Sequence, residues 1–135
     1  MKMERQVTGA PGSLLETLAM TIVERVPERV VVTMPVTSAH HQPLGYLHGG
    51  ASVALAETAA SVAANLNCGP DKVAFGQEIN ANHLRPIRDG LLTATATPLH
   101  IGRTSQVWDV KIRDEQERLV CVSRCTLAAV PRNRQ

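Results

Sequence analysis

The sequence predicts an α+β domain in which an antiparallel β-sheet wraps around one long central helix, with a single domain spanning residues 1–135. Two observations lead to this prediction. The stretch 51–66 is mostly apolar and rich in alanine, which is typical of a buried helix of about 17 residues. On both sides of it lie runs of β-branched residues of strand length, separated by turn-forming residues.

Short elements precede the predicted central helix. Ser13 followed by Glu16 three residues later is a capping-box pattern, so a short helix is expected to begin there. Two β-branched runs then meet at Pro27-Glu28, which predicts a hairpin. The expected elements are a helix over 13–18, strands over 20–26 and 29–36, and a loop over 37–43.

After the central helix the hydrophobic period changes from helical to alternating. Gly69-Pro70 is a typical helix ending, and charged or turn-forming residues separate the runs that follow. Four strands are expected, over residues 72–85, 90–99, 104–113 and 118–130. Alternation places Trp108, Val110 and Ile112 on one face of the third strand, and Leu119, Cys121, Cys125 and Leu127 on one face of the fourth.

The few polar residues of the central helix form one stripe. With about 100° per residue, Gly50 and Ser61 lie within about 40° of Glu57, and Asn65 lies within about 80°. A carboxylate on a buried helix must be stabilised or used. From the residues alone, Glu57 could pair with an arginine, face water on a half-covered helix, or act chemically.

The start of the helix favours the chemical alternative. Gly49 and Gly50 leave backbone N–H groups sterically open at a helix N-terminus, where the helix dipole favours negative charge. An oxyanion could bind there, and the carboxylate of Glu57 two turns further on could attack or activate water beside it. Acyl transfer requires this arrangement.

Composition excludes several classes of function. The net charge is +2, from 14 basic and 12 acidic residues that are well mixed, and aromatic residues make up 2% of the chain. No basic stripe with interleaved aromatics is present, so nucleic acid is not an expected partner. Neither a signal peptide nor a membrane span is predicted. The three cysteines fit neither a disulfide framework nor a zinc signature, so we expect reduced thiols in a cytoplasmic protein.

A single sheet around a single helix leaves one sheet face and its edges open, which indicates pairing with another subunit. We therefore expect at least a homodimer.

The motifs resemble those of the hotdog-fold acyl-CoA thioesterases, in the phenylacetate-pathway-like branch that includes 1,4-dihydroxy-2-naphthoyl-CoA thioesterase and the enterobactin-pathway proofreading thioesterase. The match runs from about Met34 to the last strand. It rests on residues 42–52 with the His-Gly-Gly motif at 48–50, on Ala56-Glu57 with Ser61, on 76–85, and on 98–103 with Gln106-Val107-Trp108.

The resemblance implies a thioester hydrolase without metal or cofactor, coenzyme A being part of the substrate. It implies that Glu57 is the nucleophile or general base and that the Gly49 N–H polarises the thioester carbonyl. Gln42 and His48 then lie beside that carbonyl or the attacking water, and Ser61 beside the carboxylate. The sites lie between subunits of a dimer or tetramer, so Glu57 of one chain works with Gln42, His48 and Gly49 of another.

The resemblance also places His83, Arg85 and Arg103 near the CoA nucleotide. Local readings compete with several of these assignments. His48 could fix the turn, Gln42 could cap a turn, Ser61 could bond its own i−4 carbonyl, and the three basic residues could be solvated surface charges. The resemblance does not determine which acyl group is bound, whether the thioester is one of CoA or of a carrier protein, or whether the protein is a dimer or a tetramer.

Two other functions compete with hydrolysis. A hotdog hydroxyacyl-CoA dehydratase or hydratase also uses a histidine and an acidic residue near the central helix, but such chains usually have a proline-rich segment after the histidine, where this one has Gly-Gly-Ala-Ser. A non-catalytic acyl-CoA-sensing module generally has an added DNA-binding segment, and the residues before Ser13 are too few for one.

Overall fold

A computed structural model describes residues 7–8 and 11–133 of the chain. The described residues form one seven-stranded sheet in the order β1-β2-β3-β5-β6-β7-β4, with every neighbouring pair antiparallel. The strands are β1 (Val7–Thr8), β2 (Thr21–Val26), β3 (Arg29–Pro35), β4 (Lys72–His83), β5 (Leu91–Ile101), β6 (Ser105–Arg113) and β7 (Leu119–Pro131), and the helices are α1 (Leu14–Thr17) and α2 (Gly49–Leu66), with a 3₁₀ turn over Ser38–His40.

The predicted antiparallel sheet around one long helix is confirmed. All six predicted strands are present within a few residues of their expected limits, and the two-residue β1 adds a seventh. Ser13 caps α1 by accepting a hydrogen bond from the Glu16 N–H, as the sequence predicts. Glu16 completes the turn differently, because its carboxylate accepts from the Gly12 N–H rather than from the cap residue.

Helix α2 lies across the inner face of the sheet and contacts strands β2 to β7. One side of it is fully buried and is made mostly of alanine, which lets the strands approach closely. A buried polar chain fixes its position: the Trp108 indole N–H donates to Gln106, and the Gln106 amide donates to the Ala64 carbonyl.

Two packing predictions are wrong for the single chain. Helix α2 is not buried all round, because its side facing away from the sheet is covered in part by the short α1 and lines an open cleft. Leu119 does not share the inner face with Cys121. A register shift follows the Ile112–Cys121 pair, so Leu119 pairs with Arg113 on the outer face and Val120 is buried instead.

Strand β4 forms one edge of the sheet, with β7 on its other side. Its path is interrupted by a bulge between Gly76 and Glu78. At Ala74, before the bulge, both outward-facing backbone groups are bonded to the side chain of Asn65 in α2. The Ala74 N–H donates to Asn65 Oδ1 at 3.0 Å, and Asn65 Nδ2 donates to the Ala74 carbonyl at 3.2 Å. The helix therefore covers the beginning of this edge.

Candidate active site

Of the two N–H groups expected to be open at the start of α2, the cap residue His48 occupies that of Gly50 and, among the described residues, leaves that of Gly49 free. His48 Nδ1 accepts a hydrogen bond from the Gly50 N–H at 2.8 Å. Since that nitrogen accepts, the proton of the neutral ring is on Nε2. The interpretation of His48 as a residue that fixes the turn is therefore confirmed, and its Nε2–H stays available. In the described part of the chain the Gly49 N–H donates to no acceptor, so it is free to bind an oxyanion at the positive end of the helix dipole.

Gln42 lies in the tight turn before the helix. Its N–H donates to the Tyr46 carbonyl and its carbonyl accepts from Gly45. Its side-chain oxygen accepts from the Leu44 N–H, so the interpretation of Gln42 as a turn cap is confirmed. The same bond orients the side chain, because with the oxygen occupied the NH₂ group is the end that can donate to a ligand.

A cleft of about 420 Å³ opens beside this turn, and we call it the histidine cleft. The ring of His83 stands over Gly49, since a Cβ atom at position 49 would lie 2.9 Å from His83 Nε2. A side chain at position 49 would therefore push the His83 ring aside. The cleft is lined by Gln42, Tyr46, Leu47, Gly49, Ser52, His83, Leu84, Arg85, Pro86, Ile87 and Val120.

A second cleft of about 500 Å³ lies on the side of α2 that the sheet does not cover, and we call it the glutamate cleft. The predicted polar stripe is confirmed here, because Gly50, Glu57 and Ser61 face the same space. The short α1 forms the facing wall. The lining residues are Leu14, Leu15, Gly50, Val53, Ala54, Glu57, Thr58, Ser61 and Val62.

Glu57 is half-buried and unpaired. Within residues 11–133 the ion pairs join Arg29 to Glu24, Lys111 to Asp109 and Arg118 to Asp114, and no hydrogen bond reaches the Glu57 carboxylate. Among the described residues, therefore, Glu57 has no arginine partner. A carboxylate left without a partner at a cleft is available for chemistry.

Gly76 makes room for this carboxylate. A Cβ atom at position 76 would lie 2.8 Å from Glu57 Oε2, so any side chain there would displace the carboxyl group. Gly76 is a site residue that the sequence motifs did not identify. A glycine inside a long strand is the signal that could have found it, because such a glycine often marks a bulge or a close approach.

Ser61 keeps its hydroxyl free. The i−4 hydrogen bond considered for it is absent from the described residues, and Thr58 makes such a bond instead, to the Ala54 carbonyl at 2.7 Å. The Ser61 hydroxyl is thus free to hold a water molecule or substrate beside Glu57.

The basic residues assigned to CoA lie in two places. His83 and Arg85 line the histidine cleft, but Arg103 lines neither cleft. Arg103 is in the turn after β5, where its carbonyl accepts from Lys72 at the start of β4. Strand β4 has 12 residues and therefore separates Arg103 from Arg85 by about 36 Å in one chain.

The two buried cysteines do not compete with Glu57 as nucleophiles. Cys68, Cys121 and Cys125 are free thiols, and the last two are buried. Burial, followed by the charges of Glu57 and Glu78, raises the pKa of the Cys125 thiol to about 12. That thiol is protonated near neutral pH and is therefore a poor nucleophile.

None of the helices in the described ranges is long and apolar enough to cross a membrane.

Comparison with known proteins identifies the family. The model of the thioesterase superfamily matches residues 44–121, more than half of the chain. This chain belongs to the thioesterase superfamily. A 1,4-dihydroxy-2-naphthoyl-CoA hydrolase from Listeria monocytogenes is 54% identical over 115 residues, covering 85% of this chain and 94% of that protein. The proofreading thioesterase EntH of Cronobacter turicensis is 40% identical over 130 residues, covering 96% and 95% of the two chains.

Solved structures agree with this identification. A Staphylococcus aureus thioesterase with a glutamate replaced by alanine superimposes with a TM-score of 0.86 at 45% identity, covering 89% of this chain and all of that one. The same protein with a glutamine replaced by alanine gives a TM-score of 0.83 at 47% identity, covering 87% and 98%. The resemblance to hotdog acyl thioesterases is confirmed. The chain is a thioester hydrolase. These comparisons support neither the dehydratase alternative nor the non-catalytic one.

Proposed function

We propose that this thioesterase hydrolyses CoA thioesters of small aryl acyl groups at a site shared by two copies of the chain. Glu57 of one copy would work with Gly49, His48 and Gln42 of the other. The observation that carries this proposal is the separation of the two halves within one chain: the free Gly49 N–H faces the histidine cleft, and the unpaired carboxylate faces the glutamate cleft.

The edge strand β4 supports the shared site. Gly76 lies against the Glu57 carboxylate and His83 lies over Gly49, and these two β4 residues are about 23 Å apart along the strand. If β4 pairs with its own copy about a two-fold axis between Ile79 and Asn80, Gly76 of each copy lies opposite His83 of the other. This pairing would bring the two half-sites together and join the two sheets.

Asn65 restricts the register of such pairing. It occupies both outward backbone groups of Ala74, so the free part of the β4 edge begins near Gly76. The middle of the stretch from Gly76 to His83 falls at the same axis position that the half-sites require. The bonds of Asn65 are therefore compatible with the register that the half-sites require.

The proposed reaction consumes one water and releases a carboxylic acid and a free thiol. The thioester oxygen would accept from the Gly49 N–H, with the His48 Nε2–H and the Gln42 amide beside it. Glu57 would attack the carbonyl carbon, forming an anhydride that water then cleaves, or would accept a proton from attacking water. Ser61 would hold water beside the carboxylate. This chemistry needs no metal and no organic cofactor.

The relatives support both the catalytic pair and the substrate class. The two replaced positions in the S. aureus structures, a glutamine and a glutamate, are fifteen residues apart, as are Gln42 and Glu57. The Listeria relative is named for an aryl-CoA thioester. The free thiols agree with a cytoplasmic location, where cysteines stay reduced.

The same two-fold pairing would also bring together Arg103 and Arg85, which lie at opposite ends of β4 within one chain. About an axis between Ile79 and Asn80, the start of β4 in one copy lies beside the residues that follow β4 in the other. Arg103 of one copy, held there by Lys72, would approach Arg85 of its neighbour. We place the CoA phosphates between these two arginines, near His83.

The shared site is tested by combining two inactive variants. Glu57→Gln removes the carboxylate, and Gly49→Pro removes the Gly49 N–H. A heterodimer of the two, isolated through two different affinity tags, contains one intact site and is expected to show about half of the wild-type kcat per dimer on benzoyl-CoA. Each variant homodimer is the control. A heterodimer no more active than these homodimers would show that each chain carries its own complete site.

Phosphate binding is tested at Arg85. Arg85→Ala is expected to raise the KM for benzoyl-CoA by about tenfold, or about 1.4 kcal/mol, and to spare S-benzoyl pantetheine, which lacks the nucleotide. Arg25→Ala, at an exposed position on β2, is the matched control for loss of one positive charge. Equal effects on both substrates would assign Arg85 to the fold instead.

A further inference from the structure

His40 is a buried histidine whose two ring nitrogens have different partners. It ends the 3₁₀ turn and is 3% exposed. Its Nδ1 accepts from the Thr37 N–H at 3.1 Å and lies 2.9 Å from the Thr37 hydroxyl. Because a backbone N–H can only donate, Nδ1 carries no proton, and the proton is on Nε2.

The Nε2 atom of His40 is hydrogen-bonded to the end of α1, the helix that lines the glutamate cleft opposite Glu57. Nε2 donates to the carbonyl of Leu18, the residue that ends α1, at 2.7 Å. Helix α1 is one turn long and has no fully buried residue, yet Leu14 and Leu15 form the wall opposite Glu57. Within the described ranges this is the one hydrogen bond that ties residues 13–18 to a distant part of the chain.

The Nδ1 side of the ring holds the turn that begins the catalytic helix. The bonds to Thr37 close the 3₁₀ turn, and this turn presents the His40 carbonyl to the N–H of His48 at 2.8 Å. His48 is the N-cap of α2. The position of the Gly49 N–H therefore depends on the His40 turn.

We propose that His40 is a positioning residue that serves the two halves of the site separately. Its Nδ1 bonds place the oxyanion donor at Gly49, and its Nε2 bond places the α1 wall opposite Glu57, which the acyl group would contact. This inference rests on the proposed function. In the shared-site arrangement one His40 acts on two different active sites, since the two clefts of a chain belong to different sites.

Two substitutions separate the two sets of bonds. His40→Asn keeps an acceptor near the Nδ1 position and has no group to reach Leu18, so the KM for benzoyl-CoA is expected to rise roughly tenfold with kcat near wild type. His40→Gln keeps a donor near the Nε2 position and loses the acceptor for Thr37. For this variant kcat is expected to fall roughly tenfold with KM near wild type, because the oxyanion donor is misplaced.

The crossed pattern is what a purely structural histidine cannot produce. If His40 only stabilises the fold, both variants lower the melting temperature while the folded enzyme keeps its kcat and KM, and this result would overturn the proposal. An equal change of kcat and KM in His40→Asn and His40→Gln would also overturn it. Thr37→Val removes the hydroxyl on the Nδ1 side and is expected to act in the direction of His40→Gln, should that variant not fold. Glu57→Gln, measured in parallel, distinguishes the two failures: if it too keeps wild-type kcat, the proposed function itself is wrong.

Discussion

Glu57→Gln is expected to lower kcat by at least about 100-fold and to leave the melting temperature unchanged or slightly raised. The substitution keeps the volume of the side chain and removes only its charge. Because no residue in the described part of the chain pairs with the carboxylate, its loss leaves no partner unsatisfied. Benzoyl-CoA hydrolysis, followed by release of the CoA thiol, and a thermal unfolding curve on the same sample measure both effects.

Two further variants act on the same carboxylate. Glu57→Asp withdraws it by about 1.5 Å and is expected to be intermediate, since misplacement on this scale matters for a reacting group. Gly76→Ala places a methyl group against Glu57 Oε2 and is also expected to lower kcat. The double variant Gly76→Ala with Glu57→Gln should lose no more than Glu57→Gln alone, because both act through one group. A destabilised Glu57→Gln variant with normal kcat would show that the carboxylate is structural.

Gly49→Pro is expected to lower kcat by about 100-fold to 1000-fold, the usual effect of losing one oxyanion-hole donor. Proline removes the N–H and is otherwise suited to this place, since Gly49 is the first residue of α2 and proline is favoured at that position. His48 before it has the extended backbone, φ −69° and ψ 130°, that a residue preceding proline requires. The helix should therefore form normally, as circular dichroism would show.

Gly49→Ala is the matched control for this experiment. Its Cβ atom meets the His83 ring just as the proline Cβ does, at 2.9 Å before any shift, but its N–H is retained. The ratio of the kcat values of Gly49→Pro and Gly49→Ala therefore measures the loss of the N–H donor separately from the contact of the added Cβ atom with His83. Equal kcat values for the two variants would assign the effect to His83 and remove Gly49 from the oxyanion-binding groups.

Local sequence patterns predicted most of the fold. Alternating apolar residues located the strands, the capping pattern at Ser13 located α1, and helical periodicity put Glu57, Ser61 and Gly50 on one face. These patterns succeed because secondary structure and side-chain direction depend on neighbours a few residues away. The family followed from motifs of the same short range.

Such local patterns could not predict the strand bulges or the contacts between residues distant in the sequence. Leu119 was assigned to the wrong face because the bulge that reverses its direction arises where β7 pairs with β6. Ser61 and Thr58 each have a backbone carbonyl four residues earlier to which their hydroxyl could donate. In the described part of the folded chain, Thr58 makes this bond and Ser61 does not. Gly76 matters through a carboxylate nineteen residues earlier in the chain.

Short-range sequence patterns were enough to predict the sheet, the central helix, the free Gly49 N–H at its start and the carboxylate on its polar stripe. The Gly50 N–H, which was also expected to be open, donates to His48 instead. The tertiary structure was needed to show that Glu57 has no ionic partner among the described residues, that His40 joins α1 to the catalytic helix, and that Glu57 and Gly49 face separate clefts. The physical reason is the range of the interactions. Helix and strand periodicity is set within a few residues, whereas hydrogen-bond partners and cleft walls are set by chain segments that come together only when the sheet closes around the helix.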